Sequence, residues 1–241
     1  MYFLLIAPDG KIFLVQKNKQ AFSTHLGVIN LSKLKAGKIK SSTGQIFSVV
    51  KPTFADLLQY SKRGPAVVLP KDAAAIVMYS GLSCGDFCID VGTGSGWLAA
   101  ILANAVGPKG KVVTYETKKD FLQLAEKNFK FFGFKNIKTK LQDATQQIDE
   151  KNADLVTVDI AEPWLILPQA QKALKKGKFF VAYCPQITQV QEFVSNLNRY
   201  SFRLEKILEI HEREWKIYNK ICRPQHDALT HTAFLVFARR I

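Results

Sequence analysis

The segment Ile89-Asp90-Val91-Gly92-Thr93-Gly94-Ser95-Gly96 is where this chain could do chemistry: an apolar strand, an acid and three close glycines. Glycines at that spacing let backbone approach a ligand and open a helix behind it, so the run predicts a nucleotide-sized pocket at a strand-to-helix turn. Dinucleotide sites use G-x-G-x-x-G, with the pyrophosphate seated on the helix N-terminus. Here the third glycine, Gly96, arrives one residue early and Asp90 precedes the first. An acid pointing into the pocket would repel a pyrophosphate and suit an ammonium or sulfonium group. The pattern therefore favours S-adenosylmethionine over NAD. The bland alternative is a tight turn with no ligand, but glycines here forfeit about 1 kcal/mol each in helix propensity.

Ligands of open α/β sheets bind beyond the carboxyl ends of the strands, and three more acids fall at such ends. Glu116 closes the strand expected over 111–115, where a carboxylate can accept both ribose hydroxyls. Asp143 follows the strand expected over 137–141, within reach of an adenine amino group. Asp159 ends the strand expected over 155–159. Any one could be a helix cap or a solvated loop acid; three at one sheet edge point to a site.

The elements that must position these residues alternate in type. Strands at 86–91, 111–115, 137–141, 155–159 and 179–183 are interleaved with helices from 96, over 119–132 and from 187, which predicts βαβ units and a parallel sheet covered on both faces. Segments 202–210 and 231–238 have no comparable helix between them and are expected to pair antiparallel at the sheet edge. Before residue 70 the segments are short and glycine-punctuated, opening with a hairpin of 2–6 and 11–15 turned at Asp9-Gly10. The expected organisation is a small basic β-rich domain over 1–70 and an α/β domain over 71–241.

At 241 residues and 47% hydrophobic composition the chain can bury a sizeable core. Its formal charge is +14, and residues 1–75 alone carry a net +8. A basic module beside a cofactor domain points to a polyanionic substrate, because each neutralised phosphate releases counterions; a lysine-rich solubilising surface is the alternative. The apolar start is too short for a signal sequence or membrane span. Cys84, Cys88, Cys184 and Cys222 show no zinc or haem spacing, so no metal is expected and reduced cytosolic thiols, hence a cytoplasmic protein, are the default. A link between subunits through Cys184 and Cys222 is a minor reading.

At Asp159-Ile160-Ala161-Glu162-Pro163-Trp164 the chain resembles the tRNA (adenine-N1)-methyltransferases that modify position 58 of the T-loop. The similarity runs through Thr24-His25-Leu26-Gly27, Lys62-Arg63, Pro70-Lys71-Asp72, Asp90 to Gly96, Tyr115-Glu116, Tyr183-x-Pro185 and His231-Thr232. It implies a small N-terminal β domain before a class I S-adenosylmethionine-dependent methyltransferase domain, a Rossmann-like seven-stranded sheet. It also implies that Asp90, Gly92, Gly94, Ser95, Gly96, Trp97, Leu98, Glu116, Asp143 and Asp159 line the cofactor pocket, that tRNA is the partner, and that the chain forms a homo-oligomer, commonly a tetramer in such families. Two positions depart from the pattern: Leu69 stands where many members carry Tyr, and Lys118 replaces an Arg, a point charge for a forked one.

On this resemblance Asp159 sits between cofactor and base, accepting from adenine N6 and stabilising the positive charge that builds as N1 is methylated. With Leu69 in place of the aromatic, Tyr183 is the first candidate to stack on the flipped base and Trp164 the second. Lys62, Arg63 and His25 are candidates for tRNA contact; a plain turn histidine is the alternative for His25. The competing readings are a class I methyltransferase with another substrate and a non-catalytic tRNA-binding paralogue. The intact glycines, Glu116 and Asp159 speak against the paralogue.

Overall fold

The opening apolar run folds back on itself at Asp9-Gly10, where Gly10 has a φ of 86° and the Asp9 carboxylate accepts from the Lys11 N–H at 3.2 Å. The chain is seen in a computed structural model that describes every residue except Lys19, Pro65, Ala66, Asn219, Asp227 and Ala228. It divides into two compact units, Met1–Ser61 and Lys62–Ile241. Composition places the change of character after residue 70, yet Lys62 is already tied into the second unit. Its N–H donates to Asn128 Oδ1 at 3.2 Å and its carbonyl accepts from Asn128 Nδ2 at 2.8 Å.

In the first unit, β1 (Tyr2–Ile6), β2 (Ile12–Gln16), β3 (Ala21–Thr24), β4 (Gly27–Asn30), β5 (Gly37–Lys40) and β6 (Ile46–Val50) precede helix α1 (Phe54–Tyr60). The antiparallel sheet runs β2-β1-β6-β5, and β3 and β4 form a separate hairpin. Period-two alternation builds its core: Phe47 and Val49 of β6 are buried while Ile46, Ser48 and Val50 are exposed. α1 starts at a capping box, in which Asp56 N–H donates to Thr53 Oγ1 and Thr53 N–H donates to Asp56 Oδ2.

The second unit opens with α2 (Pro70–Ser80) and continues through β7 (Phe87–Val91), α3 (Trp97–Val106), β8 (Lys111–Glu116), α4 (Lys119–Phe132), β9 (Ile137–Leu141) and β10 (Ala153–Val158). Then follow α5 (Leu167–Ala173), β11 (Leu174–Cys184), α6 (Ile187–Asn196), β12 (Phe202–Glu209), β13 (Trp215–Tyr218), β14 (Ile221–Pro224) and β15 (Phe234–Arg240). The seven-stranded sheet is ordered β12-β15-β11-β10-β7-β8-β9, and β15 alone runs against the rest. This is the expected class I arrangement. The final antiparallel pair differs in one respect: β12 takes the edge, β15 inserts between it and β11, and the hairpin β13–β14 fills the connection.

Every residue of β10 is buried, as a parallel strand covered on both faces requires. One face (Ile89, Val91, Val156, Val158, Phe180, Ala182) packs on α5 and α6. The intervening residues turn to the other face, toward α2 and α3. The chain leaves β7 outward to β8 and β9, then returns to β10 on β7's other side. That reversal opens a crevice beyond the carboxyl ends of β7 and β10, where open α/β sheets take their ligands.

Candidate active site

Two glycines are fixed here by close approach. A Cβ on Gly92 would lie 2.1 Å from the Asp159 carbonyl oxygen, so only glycine lets the end of β7 touch the end of β10. A Cβ on Gly96 would lie 2.5 Å from the Phe129 ring, so the start of α3 packs on α4 only without a side chain. A Cβ on Gly94, between them, would meet only the Gly92 carbonyl oxygen, at 4.0 Å, an ordinary contact. All three have positive φ, at 91°, 54° and 81°, a conformation costly to other residues.

Beside this loop lie two adjoining cavities of about 350 and 440 Å³ that share Gly92, Glu116, Thr117, Ile160 and Ala161. Asp143 lines the first, and Gly94, Ser95 and Asp159 line the second. A cavity of about 600 Å³ between Ala103, Gly107, Lys111 and Asn136 lies at the opposite, amino ends of the strands. No acid lines it, so the catalytic reading stays at the carboxyl ends.

Glu116 is built into the loop as well as facing the cavities. Its Oε2 accepts from Gly94 N–H at 3.0 Å, and its Oε1 from the N–H groups of Thr117 and Lys118 at 2.8 and 2.9 Å. A carboxylate oxygen has room for more than one donor, so Oε2 can still accept from a ligand hydroxyl. Asp143 turns its own loop, accepting through Oδ1 from the N–H and hydroxyl of Thr145 at 2.8 and 2.7 Å.

Asp159 stands apart from these. It follows β10 directly, its N–H donates to the Val91 carbonyl at 2.9 Å, and its carboxyl accepts no hydrogen bond from the described residues. Nor does it cap the short 3₁₀ turn Pro163–Ile166, whose first residue follows Glu162. Burial pushes its pKa up to about 7, and the charge of Asp90 adds to the shift. A partly dry, unpartnered acceptor on a cavity wall is what a reacting group with an N–H would meet.

Asp90 is a correction to the sequence reading. It does not point into the cavity: it is 1% exposed, with Oδ2 accepting from the Thr114 hydroxyl at 2.7 Å and Oδ1 from Thr157 at 2.8 Å. Register explains this, since Asp90 pairs with Thr157 of β10 and Thr114 of β8 and lies two residues short of the loop. Thr114's proton goes to Asp90, so Thr93 must donate to Thr114 across their 2.6 Å contact. Asp90 thus ties the loop's foundation strands together. Burial raises its pKa to about 6, against the two threonine hydrogen bonds and with the help of the Glu116 charge.

Gly96, Trp97 and Leu98 also lie off the cavity lining; Trp97 and Leu98 are buried at the start of α3. The exposed Arg63 places its guanidinium 5.0 Å from the Trp97 ring centroid. Trp164 is half-buried and packs against the α5–α6 core. Tyr183 does stand next to Asp159, because β10 and β11 pair with Val158 opposite Ala182. His25 lies in the first unit, in the β3–β4 turn, with Nε2 2.7 Å from Asp9 Oδ2.

Sequence reasoning missed Thr114, Thr157 and Asn128. The signal was a polar residue inside an otherwise apolar strand or helix face; Asn128 ties Lys62 to Ser95, whose carbonyl accepts from Asn128 Nδ2 at 2.8 Å.

The site suits S-adenosylmethionine. Ser95 lines the second cavity, and its hydroxyl is buried without a partner among the described residues, whereas buried polar groups are ordinarily hydrogen-bonded. The acidic acceptors Glu116, Asp143 and Asp159 match a ligand rich in hydroxyl and amino donors and carrying positive charge.

Residues 58–221 match the family model described as tRNA methyltransferase complex GCD14 subunit. The chain is 35% identical over 266 residues to tRNA (adenine(57)-N(1)/adenine(58)-N(1))-methyltransferase TrmI of Methanocaldococcus jannaschii, covering 99% of this chain and 94% of that protein. It is 38% identical over 246 residues to tRNA (adenine(58)-N(1))-methyltransferase TrmI of Thermus thermophilus, covering 98% and 96%. Among solved structures, tRNA (m1A58) methyltransferase TrmI of Aquifex aeolicus superposes with a TM-score of 0.81 at 29% identity, over 100% of this chain and 97% of that one. A SAM-dependent O-methyltransferase of Thermotoga maritima gives 0.87 at 35% identity, over 100% and 92%.

Proposed function

This chain belongs to the family of tRNA methyltransferase complex GCD14 subunits, and we propose from that premise that it methylates N1 of adenine in tRNA, at position 58 of the T-loop, using S-adenosylmethionine. The observation that carries this reading is Asp159: an unpartnered carboxyl on the cavity wall, touching the glycine loop through its own backbone.

When bound, S-adenosylmethionine supplies an electrophilic methyl group on a sulfonium with a good thioether leaving group. The chain's task is then alignment. Glu116 accepts from the ribose hydroxyls through the capacity its backbone bonds leave free, and Asp143 accepts from the cofactor's adenine amino group. The loop from Gly92 to Gly96, braced from below by Asp90, shapes the wall, with Trp97 and Leu98 anchoring the start of α3 behind it. Asp159 accepts from N6 of the target adenine, whose amino group becomes a stronger donor as positive charge spreads over the methylated ring, so the bond strengthens toward the transition state. Tyr183 borders the target base from β11. The exposed Lys62 and Arg63 at the start of the second unit, with His25 and the basic first unit, track the tRNA phosphates; we assign tRNA capture to the first unit together with that opening segment, and methyl transfer to the second unit.

The exposed apolar side chains of the β13–β14 hairpin, Trp215, Ile217, Tyr218 and Ile221, support assembly into a homo-oligomer, and a tetramer is the state we infer. Light scattering of the purified chain tests it. Among the described residues no helix is long and apolar enough to cross a membrane.

The deciding assay incubates an unmodified tRNA transcript with isotopically labelled S-adenosylmethionine and locates the product by nuclease digestion and mass spectrometry. N1-methyladenosine at position 58 is expected, and its appearance at 57 as well would place the chain beside its Methanocaldococcus relative. Label on an oxygen, or none at all, would overturn the reading in favour of an O-methyltransferase or a non-catalytic paralogue.

A further inference from the structure

Two sequence elements without a task so far, Pro70-Lys71-Asp72 and His231-Thr232, meet beyond the carboxyl end of β11. Register gathers the chain there: Cys184, the last residue of β11, and Glu209, the last of β12, both pair with Phe234 at the start of β15. Between Glu209 and Phe234 the chain makes the excursion that carries the β13–β14 hairpin. Its two feet are fastened to the first turn of α2. Lys71 Nζ donates to the Ile210 carbonyl at one foot, to Thr232 Oγ1 at the other and to Asp72 Oδ1, each at 2.7 Å. The Thr232 hydroxyl in turn donates to Asp72 Oδ2 at 2.9 Å.

The second fastening is His231. Its Nδ1 lies 2.5 Å from Glu209 Oε1 and its Nε2 lies 2.8 Å from the Pro185 carbonyl oxygen. Both oxygens only accept: one is a carbonyl, and the hydrogen bond from His231 keeps the Glu209 carboxyl ionised, below its ordinary range. Both ring nitrogens must therefore carry a proton, and His231 is an imidazolium. The Glu209 carboxylate first, and the Pro185 carbonyl second, hold its pKa above the ordinary 6.5. Of the other charged groups around it, the Lys71 ammonium opposes that shift, His211 Nε2 lies 3.5 Å from Glu209 Oε2, and Asp72 is engaged by Lys71 and Thr232. The His231 side chain is 41% exposed, and an ion pair so open to water stabilises little. Its use lies in what it holds.

Loss of a proton from the ring is not symmetric. A neutral imidazole keeps one N–H, and the charged carboxylate is the stronger acceptor. The proton stays on Nδ1, and the Pro185 carbonyl loses its donor. Pro185 follows Tyr183 and Cys184 at the end of β11, the strand that stands beside Asp159. We propose that His231 is a positioning residue, held as an imidazolium that fastens the Pro185 carbonyl and so sets the end of β11 against Asp159 and the target base. His231 lines neither cavity, so it acts through the backbone it holds. The proposal rests on the adenine-N1 reading above and adds to it a charge outside the cavities on which the rate depends.

The test uses the full chain with S-adenosylmethionine and an unmodified tRNA transcript. Single-turnover rates at saturating concentrations are measured from about pH 6 to about pH 9, across the range in which a histidine titrates, for the wild type, His231→Gln, His231→Ala and His211→Asn. The protonation of His231 is followed by heteronuclear NMR, its signals being those that His231→Gln removes. Gln places a neutral N–H where Nε2 stands and keeps the Pro185 bond at every pH, whereas Ala keeps neither bond. Rates are compared as ratios to the wild type, which cancels the titration of Asp159. His231→Ala should be about tenfold slower than the wild type at about pH 6, the scale of one hydrogen bond, and should match it at about pH 9. His231→Gln should match the wild type at about pH 6 and exceed it about tenfold at about pH 9. His211→Asn should follow the wild type throughout, and NMR should show both His231 nitrogens protonated at about pH 7. Ratios that do not change with pH, or a neutral His231 at about pH 7, would overturn the proposal and make the fastening merely structural; His231→Gln decides the matter even if His231→Ala does not fold. A wild type that forms no N1-methyladenosine would instead overturn the adenine-N1 reading, and the positioning role with it, while the NMR titration still reports the charge of His231.

Discussion

At the scale of single residues, Asp159 carries the most consequence and its environment gives two separable predictions. Asp159→Ala should leave tRNA affinity near normal while the single-turnover rate falls by roughly 10² to 10⁴, the range of a positioned polar catalyst, with Asp159→Asn in between. A wild-type rate in Asp159→Ala would make the carboxyl structural. The second prediction concerns stability. The folded pKa of about 7 exceeds the ordinary value of 3.8, so the stability this acid contributes is fully present below about pH 4 and is lost as pH rises through about 7. Asp159→Asn has no such loss, and its gain over the wild type should grow between those limits to on the order of a few kcal/mol, read from thermal unfolding at several pH values. A site acid that costs stability where it works is the expected trade at a catalytic position. Glu116 makes the complementary case. Glu116→Ala removes the acceptor for three backbone N–H groups together with the proposed ribose contact. Cofactor affinity by calorimetry should weaken at least tenfold, at roughly 1.5 to 3 kcal/mol per charged hydrogen bond.

At the scale of elements, the site is a product of how strands and helices end. Asp90 joins β7 to β8 and β10 through two threonine hydroxyls, Gly92 lets β7 and β10 touch, and Gly96 lets α3 approach α4. The glycines should not be equivalent. Gly94→Ala makes only an ordinary contact, 4.0 Å from the Gly92 carbonyl oxygen, and should cost only the strain of its positive φ, about 1 kcal/mol. Gly96→Ala drives a methyl group into the Phe129 ring, and overpacking of that kind costs on the order of 1 to 3 kcal/mol or more. Urea unfolding of the two variants checks the order. Equal destabilisation would mean that the α3–α4 packing yields freely.

At the scale of the whole molecule, charge sets the partner. The chain is strongly basic, and Lys62 and Arg63 sit exposed on a segment tied through Asn128 to the carbonyl of Ser95 in the glycine loop. Replacing both with Ala should weaken tRNA binding and flatten the plot of log affinity against log salt by about one unit for each phosphate no longer neutralised. Thermal stability should change little, because the exposed Arg63 meets the buried Trp97 ring from the solvent side, a cation–π contact worth roughly 0.5 to 1 kcal/mol. An unchanged slope with weakened affinity would place these residues in folding or base recognition instead. The buried Cys184, whose thiol burial and the Asp159 charge push up to about 12, is poorly suited to a link with Cys222.

Much of this was legible in the residues because local patterns have local causes. Strand alternation, glycine spacing and the acids at strand ends follow from backbone geometry that each segment carries with it, and they located the parallel sheet, the loop and the cavity-lining residues Glu116, Asp143 and Asp159. What the sequence could not decide was which way a side chain faces once strands are paired. The direction of Asp90 depends on register with two strands far away in the chain, and so it lies beneath the loop rather than in the cavity. Trp164 and Tyr183 look alike as aromatics near strand ends, yet one joins the α5–α6 core and the other stands beside Asp159. The meeting of Lys71, Asp72 and Thr232 had no sequence signal beyond two short motifs, because hydrogen-bond direction is set by all the neighbours an atom acquires and only tertiary structure supplies them.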